Sequence, residues 1–400
     1  MVKKKRIGIN CNRVNKDYVG GINTYIFGLL NGFSKFTGNL KFQVYVNKDN
    51  RDLFENRFDK IDNIEIIELT NYQHWKIIQV LMYLPFLNFF NKKIHELLSF
   101  KNVKIIEKNS DLLYVPTTTL DPYDLKIPTI VSMHDIQEFH FPEFFSWGQK
   151  IARKISHRNT VEMSDYIQTS SEFIRKDILN CYKHVINEKK LFVIPEGVDV
   201  DLFSSFDLDN NIKSKYKLPK KFILFPAQMW PHKNHLRLLE SLKLIKNKNN
   251  TVIPLVLTGQ KFKYSRKIFD YIHKNNLENQ IFYLGKIPKN DLISLYKTAA
   301  FLINPVLYES SSLPILEACA SGTPCVVSSI PSNKELGEVL KLTFFDPYSI
   351  EKMSSVILHS WTNTKKFNEE IQKNNKSIKD FDWAKICQSY SKYFLKFISS

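Results

Sequence analysis

The chain contains 400 residues, of which 43% are hydrophobic and 13% are aromatic, and its formal net charge is +17. This composition excludes a disordered chain, and this length exceeds what one hydrophobic core usually organises, so we expect two domains. The lysines and arginines are dispersed rather than clustered, which argues against nucleic acid as a partner.

The cysteines and the N-terminus bear on the cellular compartment. The five cysteines are odd in number and include no CxxC pair, which indicates a reducing compartment and argues against a metal site. The N-terminus MVKKKRIGINCN leads straight into a strand-like run and lacks the apolar core of a signal peptide. No window reaches the roughly 18 uninterrupted apolar residues that a bilayer-spanning helix needs. We therefore expect a cytoplasmic protein.

Residues 74–90, HWKIIQVLMYLPFLNFF, form a dense apolar and aromatic stretch. Such a stretch predicts peripheral contact with the inner face of a membrane. However, Pro85 interrupts it, and an apolar helix packed against a sheet would have the same composition. Both interpretations stay open at this stage.

Strand-like and helix-like segments alternate through the first half of the chain. A β-rich run at 6–12 precedes a Gly-Gly turn and a helical segment at 22–33, and six further strand candidates follow at 42–47, 64–69, 111–116, 129–135, 165–171 and 191–199. Runs of β-branched residues separated by helices predict a parallel sheet that is covered on both faces. We assign residues 1–203 to this first domain.

The alternation stops at residues 204–220, a polar segment that we interpret as a linker. It then resumes with six strand candidates, at 221–228, 251–259, 280–287, 301–306, 325–329 and 342–347. Residues 221–380 are therefore predicted to form a second domain of the same type. The sequence predicts an α/β protein of two doubly wound domains that face each other across a cleft, with ligands at the carboxyl ends of the strands.

Four segments lie between a strand and a helix, where this architecture places a ligand. Gly20 and Gly21 let the backbone approach a phosphate or a sugar closely, although an ordinary tight turn is the favoured interpretation of this pair taken alone. The segment PAQMWPHKNH brings Gln228, His232 and Lys233 together after a strand. A lysine at this position can meet a diphosphate as a point charge.

The other two segments are LTGQK and YESSSLPILEACASGTP. Gly259 ends a strand and permits the close approach of a nucleotide. The serine run before Pro314 leaves backbone amides at a positive helix terminus, which suits a phosphate. Glu309 precedes the start of this helix, and Glu317 lies one turn into the helix. Each carboxylate can accept hydrogen bonds from two vicinal sugar hydroxyls. The segment therefore predicts a site for a sugar diphosphate.

In the first domain, VSMHDIQEFHFPEF places His134 at the end of a strand. A neutral imidazole at this position can hydrogen-bond a sugar hydroxyl or polarise an acceptor, although most single histidines do neither.

These motifs together resemble those of the retaining glycosyltransferases of family four. The resemblance depends on Glu309 and Glu317 with seven residues between them, the following ASGTP, HKN at 232–234, IPEGVD at 194–199 and MHDI at 133–136. It extends over nearly the whole chain in the order typical of the family. It implies the GT-B architecture of two Rossmann-like domains, in which the last helix, here within residues 381–400, crosses back to the first domain.

The resemblance also implies a donor substrate, a nucleotide-diphosphate sugar bound mainly by the second domain. It assigns Lys233 to the diphosphate, Glu309 to the donor sugar and Glu317 to the nucleotide ribose. His134 is expected near the transferred sugar, so we take His134, Lys233 and Glu309 as the catalytic candidates. The other residues expected to bind the donor are Gly20, Gly21, Gln228, His232, Gly259, Ser310, Ser311, Ser312 and Leu313.

The chain departs from the family pattern at two places. It has Ser310, Ser311 and Ser312 where the family commonly has Gly-Phe-Gly, and Gln228 where the family commonly has an arginine. The diphosphate therefore lacks one positive charge, for which His232 or Lys261 could compensate. These departures indicate either a subgroup of the family or a weakened enzyme.

We therefore expect a retaining hexosyltransferase that acts on a hydroxyl of a growing surface glycan or a lipid-linked glycan. The segments PAQMWPHKNH and MHDI look like those of transferases that build bacterial surface polysaccharides, often from GDP-mannose, which we take as the favoured donor. No metal and no cofactor is expected. Two alternatives stay open: a sugar-nucleotide epimerase of the same architecture and a non-catalytic polyanion-binding protein.

Overall fold

A computed structural model of the chain describes residues 4–15, 20–36, 38–70, 88–123, 125–363 and 374–399. Residues 74–87 of the apolar stretch lie outside these ranges, so its two interpretations stay predictions. Within the described ranges, no helix is both long enough and apolar enough to cross a membrane. The chain forms two compact units: unit 1 is Met1–Pro195 with Trp383–Ser400, and unit 2 is Glu196–Asp382.

The core of unit 1 is a sheet of seven strands: β1 (Lys5–Asn10), β2 (Leu40–Val46), β3 (Ile64–Glu68), β4 (Leu112–Val115), β5 (Thr129–Ser132), β6 (Tyr166–Thr169) and β7 (Leu191–Val193). All neighbours are parallel, in the order β3-β2-β1-β4-β5-β6-β7. Strands β4 and β5 are buried along their whole length, because helices cover both faces of the sheet.

The helices described in the first part of unit 1 lie between successive strands, except that β5 follows β4 without a helix and two helices separate β5 from β6. Helix α5 begins with a capping box, in which the Ser146 hydroxyl accepts from the Gln149 amide and the Gln149 side chain accepts from the Ser146 amide. The bounds are α1 (Gly21–Ser34), α2 (Arg51–Phe58), α3 (Asn88–Asn109), α4 (Gln137–His140), α5 (Trp147–Met163) and α6 (Glu172–Cys181).

The core of unit 2 is a sheet of six strands: β8 (Ile223–Pro226), β9 (Leu255–Thr258), β10 (Ile281–Tyr283), β11 (Leu302–Asn304), β12 (Cys325–Ser328) and β13 (Thr343–Phe345). They are all parallel, in the order β10-β9-β8-β11-β12-β13. The order reverses between β8 and β11, so the loops after these two strands diverge and leave a crevice at their carboxyl ends. The predicted pair of doubly wound α/β domains is confirmed.

Two hydrophobic clusters cover the two faces of this second sheet, as a parallel sheet between helix layers requires. Gly322, at φ +73°, follows the end of helix α12 and reverses the chain into β12. The helices described in unit 2 are α7 (Val200–Ser205), α8 (Ile212–Lys215), α9 (His235–Asn249), α10 (Ser265–Lys274), α11 (Lys289–Thr298), α12 (Leu313–Ala320), α13 (Pro331–Gly337), α14 (Ile350–Thr362) and α15 (Asn374–Ser377).

The last helix, α16 (Trp383–Ile398), returns to unit 1 and packs against α1. The indole of Trp383 lies directly over Gly28, where any side chain would collide with it. The Tyr390 hydroxyl is hydrogen-bonded to the Tyr25 hydroxyl at 2.5 Å, and the Tyr25 hydroxyl is 2.7 Å from that of Tyr114 on β4. The implied return of the last helix to the first domain is confirmed.

The structure divides the chain at different residues from those predicted. The first unit ends at Pro195 rather than at residue 203, and the polar segment 204–220 belongs to unit 2 instead of linking two domains. Ile212 and Phe203 are buried in the core of unit 2, and Lys215 pairs with Asp291 at 2.8 Å. A few apolar side chains therefore anchor a segment whose average composition is polar.

Candidate active site at the edge of the second sheet

The loop after β8 carries Lys233 in a short 3-10 turn, Pro231–Lys233. Asn234 follows in the left-handed conformation, at φ 61°. Its side-chain Nδ2 donates to the carbonyl of Pro305 at 2.9 Å and to that of Pro347 at 3.0 Å. Because Pro305 follows β11 directly, these bonds hold the Lys233 turn against the loop that contains Glu309.

Lys233 and Glu309 form an ion pair, in which Lys233 Nζ donates to Glu309 Oε1. The two side chains are only 18% and 11% exposed. The second carboxylate oxygen, Oε2, lies 3.4 Å from the side-chain Nδ2 of Asn304. The structure therefore brings two of the three catalytic candidates into direct contact.

Helix α12 begins directly after the serine run, with Ser312 as its N-cap and Pro314 in its first turn. Ser310, Ser312 and Leu313 are buried, and Ser311 is partly exposed. Among the described residues, no acceptor takes a hydrogen bond from the backbone amides of Ser310 to Leu313. These amides and the positive end of the helix form a site that favours an anion, next to the ammonium of Lys233.

Glu317 lies one turn into α12 and is partly buried. Burial raises the pKa of its carboxyl to about 7, although a hydrogen bond from Tyr296 and the charge of Lys289 oppose this shift. Tyr296 Oη donates to Glu317 Oε2 at 2.8 Å. Burial and the Glu317 charge raise the pKa of Tyr296 well above its ordinary value, so this phenol remains a donor.

Two further predicted donor residues flank the crevice. Gly259 follows β9 at φ +113°, and a Cβ there would lie 2.6 Å from the carbonyl oxygen of Ala227, so no other residue fits. The Gln228 side chain accepts from the Trp230 indole Nε1 at 2.8 Å, and Trp230 stacks on Phe262 with ring centroids 4.1 Å apart. Gln228 thus contributes to the conformation of its own loop.

The two residues expected to replace the missing arginine charge have different surroundings. The carbonyl of His232 accepts from the Leu307 amide at 2.8 Å, and the residue is partly exposed. The Lys261 ammonium lies over the Phe269 and Tyr283 rings, 4.5 Å and 5.0 Å from their centroids. Burial, and then the charge of Lys233, lower the pKa of the neighbouring His235 to about 3, so His235 adds no positive charge.

The predicted residues of the first domain lie in unit 1. Gly20 is the N-cap of α1 and Gly21 is its first residue. His134 follows β5 and is 7% exposed, with its ring edge-on to Tyr25 at 4.9 Å. Its Nε2 lies 3.0 Å from the carbonyl of Pro116. Because a carbonyl only accepts, Nε2 carries the hydrogen in this contact.

One group of potential metal ligands occurs in the described part of unit 1. His140, Asp177 and Cys181 each place a ligand atom within 4.8 Å of the other two. His140 Nε2 is already 2.8 Å from the Asp177 carboxylate. Burial, followed by the charges of Asp177 and Glu138, raises the pKa of the Cys181 thiol to about 11, which opposes the thiolate that a metal needs.

Sequence reasoning missed Asn304 and assigned no role to Asn234, and these are the two amides that connect the loops of the site. Asn304 is 2% exposed and donates to the Ser312 hydroxyl at 2.7 Å. The available signal was a single polar residue at the end of the apolar run FLINPV. For Asn234, the signal was an asparagine before a helix, a residue type that tolerates the left-handed conformation.

Comparisons with known proteins agree with this architecture. The family model Glycosyltransferase Family 4 matches residues 19–202, and the model Glycosyl transferases group 1 matches residues 209–378. O-antigen chain mannosyltransferase B of Escherichia coli is 25% identical over 256 residues, which are 64% of this chain and 66% of that protein.

A second Escherichia coli relative is UDP-Gal:alpha-D-GlcNAc-diphosphoundecaprenol alpha-1,3-galactosyltransferase, which is 31% identical over 178 residues, 43% of this chain and 44% of that protein. These alignments span less than two thirds of either relative. Among solved structures, HepE of Anabaena in complex with UDP and glucose covers 98% of this chain and 100% of its own, with a TM-score of 0.72 at 16% identity. The chain belongs to the group 1, family 4 glycosyltransferases and has their GT-B fold.

Proposed function

We propose that this protein is a retaining glycosyltransferase that moves a hexose from a nucleotide-diphosphate sugar to a hydroxyl of a growing surface glycan or lipid-linked glycan. The observation that carries the proposal is the pairing of Lys233 and Glu309 beside the open amides of α12. A cation, unpaired amides and a carboxylate at one sheet edge match the needs of a sugar diphosphate: charge for the phosphates and acceptors for the sugar hydroxyls.

Lys233 and α12 stabilise the leaving group in this proposal. An ammonium has three donors, so Lys233 can contact a phosphate oxygen while Glu309 still accepts from it. The bond between the anomeric carbon and the diphosphate oxygen breaks with its electron pair on the phosphate. The acceptor oxygen bonds to the same face of the sugar, and its proton passes to the departing phosphate. The chain's own groups thus stabilise charge, without a general base, a metal or a cofactor.

Glu309, in the loop before α12, and Glu317, in α12, bind hydroxyl groups of the donor in this proposal. Glu309 is assigned to the donor sugar and Glu317 to the ribose, since a carboxylate can accept from two vicinal hydroxyls. The ribose hydroxyls would add donors to the carboxylate of Glu317 and so favour its ionised form when the donor binds. The roles of Gly20, Gly21 and His134 toward the donor stay predictions from the resemblance.

GDP-mannose is the donor that we propose. The mannosyltransferase relative supports it, whereas the galactosyltransferase relative is named for UDP-Gal. The identity of the donor nucleotide should therefore be determined first. The same galactosyltransferase is named for a diphosphoundecaprenol acceptor, which supports a lipid-linked acceptor here. An acceptor of that kind would bring the protein to the inner face of a membrane as a peripheral protein.

A thermal-shift screen of the purified chain against UDP-, GDP-, ADP- and dTDP-sugars tests the donor site. We expect GDP-mannose to raise the unfolding temperature most. Transfer to a lipid-linked glycan should then proceed with excess chelator and give a product of unchanged anomeric configuration by NMR. Stabilisation by none of the nucleotide sugars would contradict the proposal. An altered sugar formed without any acceptor would favour the epimerase.

A further inference from the structure

We infer that Asn304 is a positioning residue for the transfer reaction, because its side-chain amide holds the Ser312 hydroxyl away from the N-terminus of α12 and supports the Glu309 carboxylate. This inference rests on the proposed function, since it concerns the same leaving-group site. Asn304 is the last residue of β11 and is 2% exposed, so its amide is fixed within the core of unit 2.

The orientation of the Asn304 amide follows from charge. Its Nδ2 is 2.7 Å from Ser312 Oγ and 3.4 Å from Glu309 Oε2. If the amide were rotated, its oxygen would face the carboxylate and repel it, so the NH₂ group occupies this side. The contact with Ser312 is a normal hydrogen bond, and that with Glu309 is long and weaker.

Ser312 behaves differently from the three serines that are N-caps of the longer helices among the described residues. Ser146, Ser171 and Ser349 each accept from an amide of their own helix, at 3.3, 3.4 and 3.2 Å. Ser312 makes no such bond, and its oxygen accepts from Asn304 instead. A capping oxygen would place lone pairs across the positive helix end and would compete with an anion there. Asn304 thereby keeps this end available to the leaving diphosphate.

The same amide gives Glu309 a donor that does not depend on Lys233. When Lys233 also contacts a phosphate oxygen, the Asn304 NH₂ still faces Glu309 Oε2 and helps to hold this carboxylate in place. The carbonyl oxygen of the same amide, Asn304 Oδ1, is buried and has no hydrogen-bond partner among the described residues. An unpaired buried acceptor lowers the stability of the folded state. An apolar side chain would fill this space without that cost, which indicates that the amide is needed for its donors.

Asn304→Asp is the informative variant, because it keeps the shape and replaces the donor by a carboxylate. We expect kcat to fall by about 10- to 100-fold, with KM for the donor changing less than kcat, since one buried donor is lost. Burial and the nearby Glu309 carboxylate should raise the pKa of the new carboxyl toward neutrality. The rate relative to wild type should therefore recover as the pH falls from 8 to 6, because a protonated carboxyl can donate again. Lys233, Glu309 and Glu317 are the other charged side chains of this site and are present in both proteins, so the rate of the variant is divided by the wild-type rate at each pH.

Two comparison variants complete the experiment. Asn304→Ser adds no charge and should lower kcat with a relative rate that does not vary with pH. Gln280→Glu is the matched control, because Gln280 is also 2% exposed, donates to a carbonyl at 3.0 Å and leaves Oε1 unpaired, but precedes β10 at the opposite end of the sheet. We expect it to keep the wild-type kcat, even if its unfolding temperature falls as far as that of Asn304→Asp.

The results separate the inference from the proposed function. Sugar transfer by the wild type, with equal kcat in Asn304→Asp and Gln280→Glu or with no pH recovery in Asn304→Asp, would overturn the positioning role alone. Absence of sugar transfer by the wild type would overturn both. If Asn304→Asp does not fold, the kcat of Asn304→Ser decides: a wild-type value excludes the role.

Discussion

Lys233 and Glu309 neutralise each other in this structure, so the charge of the site depends on both residues. Lys233→Ala would remove the cation. Among the described side chains, Asn304 would then be the donor left to the Glu309 carboxylate, which faces the place where the diphosphate is expected. We expect kcat to fall by about 10²- to 10³-fold, as when one preorganised charge-stabilising donor is lost. Steady-state kinetics with the donor found in the screen measures this.

A second lysine–carboxylate pair in unit 2 provides the control for this variant. Lys215 pairs with Asp291 at 2.8 Å between helices α8 and α11. Lys215→Ala removes an equal charge from the same unit, and its kcat should stay within about twofold of wild type. An equal loss of activity in both variants would mean that Lys233 acts through net charge or folding and not through the leaving group.

Glu317 makes the stability of unit 2 depend on pH. Burial raises its pKa from 4.5 to about 7, so the folded state holds this proton more tightly than the unfolded state does. Its contribution to stability is therefore complete below about pH 4.5 and is lost as the pH rises through about 7. Because Glu317→Gln cannot ionise, we expect its stability relative to wild type to increase by about 1–3 kcal/mol from pH 4.5 to pH 8.

Hydrogen exchange of the α12 amides in wild type and Glu317→Gln, at pH 4.5 and at pH 8, measures this difference in stability. Glu309→Gln is the comparison, since it removes the other carboxylate of the site, which pairs with Lys233. An equal change of stability with pH in both variants would mean that the effect does not come from Glu317. A difference in stability between Glu317→Gln and wild type that stays constant from pH 4.5 to pH 8 would contradict a raised pKa of Glu317.

At the scale of elements, the contact between α1 and α16 requires a glycine. A Cβ on Gly28 would lie 2.2 Å from the Trp383 indole. Gly→Ala in an open helix stabilises by about 0.5–1 kcal/mol, whereas overpacking a core costs about 1–3 kcal/mol. We therefore expect Gly28→Ala to destabilise unit 1, as measured by urea unfolding. Asn31→Ala, at an exposed position of the same helix, should not do so.

The strands could be predicted from local pattern, because a buried parallel strand needs an unbroken run of β-branched and apolar residues. The thirteen runs identified in the sequence correspond to the thirteen strands of the two sheets. The polar composition of segment 204–220 did not reveal its place in unit 2, because Ile212 is buried in a cluster with residues far along the chain such as Ile293, which no local average contains. The return of α16 to unit 1 could be expected only from the family resemblance, because the residues that it packs against are also far away in the sequence.

The candidate site was predicted in part. Lys233, Glu309 and Glu317 could be selected because charged residues beside strand ends are chemically conspicuous. Their partners could not be selected in this way: the Lys233–Glu309 pair and the Tyr296–Glu317 bond join residues 76 and 21 positions apart. Asn304 escaped notice because its function depends on which atoms its amide faces, and an isolated asparagine in a sequence does not indicate that.

For the whole molecule, the chain builds unit 1, then unit 2, and finally completes unit 1 with α16. The Phe394 ring of α16 packs against Phe33 and Tyr114 at 5.9 Å and 5.6 Å between centroids. Ending the chain after Asp382 would expose this apolar face to water. We expect amide exchange in α1 to accelerate at least about tenfold, while exchange in the β8 and β11 strands stays unchanged.

Hydrogen exchange with mass spectrometry on the shortened and full-length chains tests this expectation. Full-length Lys392→Ala changes an exposed position of α16 and should match wild type throughout. Equal acceleration in both units of the shortened chain would show that α16 stabilises the protein generally. No acceleration in either unit would show that α1 is stable without it.

The late arrival of α16 has a consequence for biosynthesis. Residues up to Pro195 leave the ribosome about two hundred codons before the helix that covers Phe33 and Tyr114. Until translation passes that point, the nascent amino-terminal half carries an uncovered aromatic surface that a chaperone can bind, while the intervening unit is free to fold by itself. A late frameshift or a bulky fusion at the carboxyl terminus should therefore first damage the part of the protein that was synthesised earliest.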